Sequence, residues 1–440
     1  MGNSAKTHQP GALDEILVSD IIAAVDDGFA AQTSFTQELV SYPSLRGQEH
    51  TAQDFVHHAL AEREYNMDRW SIDVGEIENH RGFSPVNVSY QNAINVVATH
   101  RPRAEVGRSL ILNGHIDVVP TGPADMWKQP PFDPWIDNDW LYGRGSGDMK
   151  AGLAANFFAL DALRNLGYQP AATTYIQSVT EEECTGNGAL SCLVRGYRAD
   201  AVIIPEPEDD RLVRANVGVI WCRVHLRGRP VHTRDAGAGF SAIDGAYYLM
   251  TALRQLAESW NERKSDYPVF KDVDHPINVV FGRIEGGDWA SMVPAWCWFD
   301  VRIAIYPGVD PRDAASEIES CLHQASLNNT ALADNAPEVE YTGFFTEGYV
   351  LEEGSEAEQT LARAHLHSYG RDLESFVTPG YLDGRVFVLY DNCPCLVYGP
   401  YSENIHGIDE RVSLSSVKRI TGSIALFIAD WCGLEPVDIS

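Results

Sequence analysis

The sequence predicts an α/β fold, with a mixed, largely parallel central sheet interrupted by a smaller split-βαβ unit. Three observations carry that reading. Short apolar runs alternate with helical stretches as far as about residue 215, the pattern of a layered sheet with helices on its faces. Between about 216 and 344 the order becomes strand–helix–strand–strand–helix–strand, which closes on itself as a compact unit. Alternation then resumes. At 440 residues the chain exceeds what one core usually serves, so it divides into 1–215, an inserted 216–344, and 345–440.

Taken in order, the stretch to about Pro43 reads as a flexible arm followed by a helix, with Ile21, Ile22, Val25, Phe29, Phe35 and Leu39 along one face. A second helix is predicted over Glu49–Arg63. Ser109–Asn113 reads as a buried strand, Gly152–Leu166 as a helix, and Thr173–Val179 and Ala201–Pro205 as strands. In the insertion, Val217–Leu226, Ile277–Ile284, Ala295–Ile305 and Val339–Phe344 read as strands. Its helices span Ser241–Arg263, opened by a Ser-x-x-Asp signal, and Asp310–Leu327, with Asp310 as cap and Pro311 at the first position.

Charge excludes some function classes. Acidic residues outnumber basic ones 62 to 33, a net −29, which repels phosphate backbones and anionic lipid, so no nucleic-acid or membrane partner is expected. The first fifteen residues lack an apolar stretch, and no run approaches the roughly 18 apolar residues of a membrane span. Eight cysteines without paired Cys-x-x-Cys spacing suit reduced thiols. These features lead to the expectation of a cytoplasmic protein.

Five segments carry candidate chemistry. Gly114-His115-Ile116-Asp117 follows an apolar strand. An imidazole with a nearby carboxylate suits a cation site, although His-x-Asp is also an ordinary hydrogen-bonded turn. Gly143-Arg144-Gly145-Ser146-Gly147-Asp148 invites a phosphate-loop reading, but Asp148 sits where a phosphate needs donors. A sharply bent glycine turn can instead aim one carboxylate between two cations. Glu181-Glu182-Glu183 is either a solvated loop or a set of acids whose charge a cation offsets. Adjacent glutamates allow one to coordinate while its neighbour acts as a base. Pro205-Glu206-Pro207 holds another acid at a strand end, and Asn404-Ile405-His406-Gly407 adds a second imidazole. Two His and three or more carboxylates without thiolates suit zinc, cobalt or manganese, in number enough for two divalent ions sharing a carboxylate.

The ordered set resembles the M20 metallopeptidase/deacylase family, on its acetylornithine-deacetylase-like branch. It comprises Gly-His-Ile-Asp at 114–117, Trp127 with Pro130-Pro131-Phe132, the 143–150 turn, the glutamate run, Pro205-Glu206-Pro207, Gly228-Arg229-Pro230-Val231-His232, and His406. The resemblance implies metal-dependent hydrolysis of a small N-acyl amino acid or related N-acyl amine. It implies His115 and Glu206 on one ion, Glu183 and His406 on the other, Asp148 bridging, and Asp117 orienting His115. Glu182 would be the base, with Glu181 as the alternative because Glu181 and Thr185 depart from the family's D-E-E-x-G pattern. It further implies a ferredoxin-like lid that forms a homodimer, His232 as an oxyanion-stabilising group, and Arg302 and Arg385 near the substrate. For Arg302 a structural pair with Asp300 or a neighbour is the competing expectation. The rival from another class is a non-catalytic homologue that acts through its lid.

Overall fold

The computed structural model of the chain describes residues 7–11 and 13–437. In the first part lie helices α1 (Glu15–Ser41) and α2 (His50–Glu62), then strands β1 (Asn66–Ser71), β2 (Ile94–His100) and β3 (Leu110–His115). Helix α3 (Ala151–Asn165) and strands β4 (Thr174–Val179) and β5 (Ala201–Ile204) follow. The middle holds β6 (Gly218–Arg227), α4 (Ala242–Asn261), β7 (Val279–Gly286), β8 (Trp296–Ile305), α5 (Pro311–Leu327) and β9 (Glu338–Thr346). The last part contributes α6 (Glu356–Tyr369), β10 (Cys395–Val397) and α7 (Leu414–Cys432).

The central sheet has the order β1-β2-β4-β3-β5-β10. Its β4-β3-β5-β10 portion is parallel, and β1 and β2 add an antiparallel edge. Side chains alternate across a strand, and here both faces are covered. Leu110, Leu112 and Ile203 enter a large core with α1, α3 and α7, whereas Ile111, Val202 and Ile204 enter a second core with Ala189, Leu193, Val386 and Phe387. That is why these strands read as unbroken apolar runs rather than as alternating ones.

A separate four-stranded antiparallel sheet, ordered β7-β8-β6-β9, carries α4 and α5 on one face with its own core, from Ala215 to Phe344. Both helix starts are capped as the sequence predicts. Ser241 Oγ accepts from Asp244 N–H at 3.1 Å, and Asp310 Oδ1 accepts from Arg312 N–H at 2.8 Å.

The opening segment differs from expectation. Residues 1–6 and 12 of the expected arm lie outside the described residues, but His8 pairs with Leu434, their backbone N–H groups each donating to the other's carbonyl at 2.7 and 2.9 Å. Gly11 N–H donates to Asp430. The stretch before α1 is thus tied to the end of the chain. All eight cysteines are free, and among the described residues no helix is long and apolar enough to cross a membrane.

Candidate active site

Three neighbouring parallel strands bring their carboxyl ends together, the usual place for function in such a sheet. His115 ends β3 and stands level with Val179 at the end of β4, so Glu181–Glu183 begin one turn beyond it. Leu112 pairs with Ile203 of β5. Continuing that register sets Glu206 level with His115. Asp148 arrives from above, on the turn that leads into α3. Gly145 takes φ +82° there, and Gly152 lets α3 touch the strand, since a Cβ at 152 would lie 1.9 Å from the Pro205 carbonyl. The peptide bond after Asp148 is cis. His406 comes from a loop between two short strands, Ser402–Glu403 and Arg411–Ser413, in a small sheet with Trp140–Tyr142, the strand that feeds the glycine turn.

The result is two overlapping trios, His115–Asp148–Glu206 and Asp148–Glu183–His406, with the candidate ligand atoms of each within 4.8 Å of one another. Asp148 belongs to both. Its Oδ1 lies 3.0 Å from His115 Nε2 and its Oδ2 lies 3.2 Å from His406 Nε2. Glu206 Oε2 is 3.7 Å from His115 Nε2, and Glu183 Oε2 is 3.1 Å from His406 Nε2. Glu182 stands beside the pair, its Oε2 3.9 Å from His115 Nε2. The expected five ligand candidates and the expected base therefore converge.

The electrostatics suit cations. Burial pushes the Glu206 carboxyl up to about 7, and burial, then the Glu206 and Asp383 charges, hold Glu182 well above the usual range. Asp117 is also raised well above it by burial. Glu183 lifts His406 to about 11. Burial works against protonation of His115, but Glu206, Asp148 and Glu182 outweigh it and raise the ring. Burial likewise opposes ionisation of Asp148, yet hydrogen bonds from both imidazoles keep it below the carboxylate range. Without metal, protons thus take the place of positive charge. Buried Glu206 Oε1 and Asp117 Oδ1 have no hydrogen-bond partner, as expected of groups arranged for a cation. Oxygen and imidazole donors without a thiolate fit divalent zinc, cobalt or manganese.

Several expectations gain detail. His115 Nδ1 donates to the Asp117 backbone carbonyl at 2.9 Å, while the Asp117 carboxylate is 3.6 Å away and accepts instead from Glu183 N–H at 3.1 Å. Either way Nε2 is left facing the cluster. Glu181 is fully engaged. Arg46 grips it at 2.6 and 2.7 Å, Tyr90 donates at 2.6 Å and Thr185 at 3.0 Å. A carboxylate so saturated is a poor proton acceptor, which leaves Glu182 in the better position. The phosphate-loop reading fails on the same kind of ground, because the N–H groups of Gly145, Gly147 and Asp148 are taken by Glu410.

Three further expected residues lie outside the cluster. His232 is exposed, and its Nδ1 accepts only the Arg234 N–H; no hydrogen bond or ion pair joins it to the cluster among the described residues. Among the described residues Arg302 pairs with neither Asp300, which Arg223 holds, nor any other acid. It donates to Asn278 Oδ1 at 2.5 Å and to the Pro379 carbonyl at 3.1 Å, and burial lowers it to about 10. Arg385 is 0% exposed and donates to Tyr381, Tyr390, Gly82 and Thr185. Its guanidinium is thus engaged with protein groups in this structure. A cavity of about 390 Å³ elsewhere, lined by Arg63, His100 and Arg164 among others, shares no residue with the cluster. Two of its arginines are already paired, Arg63 with Asp161 and Arg164 with Glu64.

Residues 111–430 match the sequence pattern of Peptidase family M20/M25/M40. The chain belongs to the M20 peptidase family. An M20 relative, the N-formyl-4-amino-5-aminomethyl-2-methylpyrimidine deformylase of Halalkalibacterium halodurans, is 28% identical over 95% of this chain and 98% of its own length. An acetylornithine deacetylase of Erwinia tasmaniensis is 30% identical over 73% of this chain and 80% of its own. The fold matches that of the Saccharomyces cerevisiae di-peptidase Dug1p, with a TM-score of 0.76 and 16% identity over 94% of this chain and 98% of that one. As an M20 member the chain is a hydrolase of amide bonds, and the non-catalytic reading falls away.

Proposed function

We propose that this M20 hydrolase cleaves the amide of a small N-acyl amine or N-acyl amino acid with two divalent cations, zinc in preference to cobalt or manganese. The reading rests on one observation, the two ligand trios sharing Asp148 with Glu182 beside them. His115 and Glu206 would hold one ion, Glu183 and His406 the other, and Asp148 both. The bound cations would supply Lewis acidity, polarising the scissile carbonyl and making water acidic enough to lose a proton near neutral pH. Glu182 takes that proton from the attacking water and returns it to the departing amine. Asp117 fixes His115 through its backbone carbonyl. Exposed His232 steadies the developing oxyanion from a second protomer, in a homodimer formed through residues 216–344. The protein works in the cytoplasm.

For the amine half there are two readings. The deformylase relative supports a neutral amine. Arg302, a half-buried guanidinium with no acidic partner among the described residues, supports an amine that carries a carboxylate. The test is zinc-reconstituted protein on a panel of N-formyl, N-acetyl and N-succinyl amines, with and without an α-carboxylate, identifying the acid released. Metal-dependent release of one acid is expected. Release of none, by protein that holds its metal, overturns the reading.

A further inference from the structure

One buried ion pair outside the ligand set touches the segments that supply two of the second trio's ligands, Asp148 and His406. Glu410 and Arg144 are 0% and 1% exposed, and their side chains pair directly. Glu410 Oε1 accepts three backbone N–H groups of the glycine turn, from Gly145 at 3.1 Å and from Gly147 and Asp148 at 3.0 Å each. Its backbone carbonyl takes the Gly143 N–H at 3.0 Å. Arg144 Nη2 reaches the carbonyls of Gly407 at 3.0 Å and Pro120 at 3.3 Å. The pair therefore ties the Asp148 turn to the loop just past His406 and to the loop just past Asp117.

We infer that Glu410, locked by Arg144, is the positioning residue that sets Asp148 against His406 and so fixes the spacing of the two cation sites. The inference rests on the dinuclear reading above. Only a carboxylate serves here, because both of its oxygens meet donors. A glutamine offers one acceptor and one donor, so its amide must oppose either the three N–H groups or the guanidinium. A supporting residue of this kind typically changes metal affinity about 10–100-fold.

The test uses full-length, metal-free protein, titrated with zinc by calorimetry and loaded with Mn²⁺ for spin-coupled electron paramagnetic resonance. Wild type should take two coupled ions. Glu410→Gln should bind one of them about 10–100-fold more weakly and lose the coupled signal, and Glu410→Asp should recover part of both. Glu403→Gln, which removes an acid of the same tail paired only with Arg411 and Tyr401, should match wild type. Folded E410Q that binds both ions with wild-type affinity and coupling overturns the proposal. If E410Q does not fold, wild-type affinity for both ions in E410D overturns it equally. Wild type that binds only one ion sinks the dinuclear reading instead. Amide exchange at Gly147 and Asp148 in metal-free protein then still decides Glu410's hold on the turn, and protection unchanged in E410Q or E410D refutes it.

Discussion

Replacing Glu182 and Glu181 separately by Gln distinguishes a proton carrier from a structural anchor. Glu182 is buried, raised well above its ordinary pKa by burial and by Glu206, and among the described residues makes no ion pair with arginine or lysine. Removing its charge should leave metal binding and melting temperature intact. A general base contributes about 10²–10⁴-fold, or about 3–5 kcal/mol of barrier, so kcat should fall by that factor. Glu181 is the reverse case. Breaking a buried pair costs roughly 3–5 kcal/mol, and with the Arg46 side chain 24% exposed to screening solvent about 2–3 kcal/mol remains. E181Q should therefore unfold at lower denaturant yet turn over substrate when folded. The assay is steady-state kinetics on metal-reconstituted variants beside urea melts. E182Q within tenfold of wild-type kcat refutes the reasoning, and so does an inactive E181Q with an unchanged melt.

Other outcomes follow from the same geometry. Metal binding should weaken as pH falls through about 7, because the metal-free Glu206 carboxyl, raised by burial, holds its proton up to that pH; zinc titrations at pH 6 and 8 check this. His365 is 1% exposed, and its Nε2 has no partner. Burial lowers it to about 4, so the unfolded state binds the extra proton between about 6.5 and 4. Stability is complete above that window and should drop by about 2–3 kcal/mol as pH falls through it; urea melts of a His365→Gln variant should lack that slope. Gly152→Ala puts a Cβ 1.9 Å from the Pro205 carbonyl. It should cost about 1–3 kcal/mol by overpacking and displace Glu206, lowering zinc affinity in the same titration. Arg302→Ala should raise KM for carboxylated substrates and leave neutral ones unchanged; equal effects on both exclude the carboxylate contact.

Local order was legible because it is written locally. The apolar runs that became β3, β4 and β5, and the caps Ser241 and Asp310, need only neighbours a few residues apart. The acids and histidines of the cluster were legible as chemical types at strand ends. What the sequence hid is partnership across distance. Nothing near Glu181 announces Arg46, 135 residues earlier, so Glu181 stayed open as the alternative to Glu182 as base. Glu410 and Arg144 are 266 residues apart. A signal was there, an acid four residues after His406 and an arginine inside the glycine turn, but a charge in a loop is ordinarily solvated. The resemblance set Arg385 near the substrate, whereas its burial among tyrosines is not visible in the sequence. The antiparallel sense of β1 and β2 rests on hydrogen-bond pairing that no residue pattern in those strands specifies.

The order in which the cluster's residues leave the ribosome has a consequence of its own. His115, Asp148, Glu182, Glu183 and Glu206 all emerge within one early stretch, and His406 follows 200 residues after Glu206. At about 5–20 residues per second, that is an interval of about 10–40 s before the second imidazole is available. On the proposed reading, the residues of the trio His115, Asp148 and Glu206 are all synthesised long before His406, which the second trio needs.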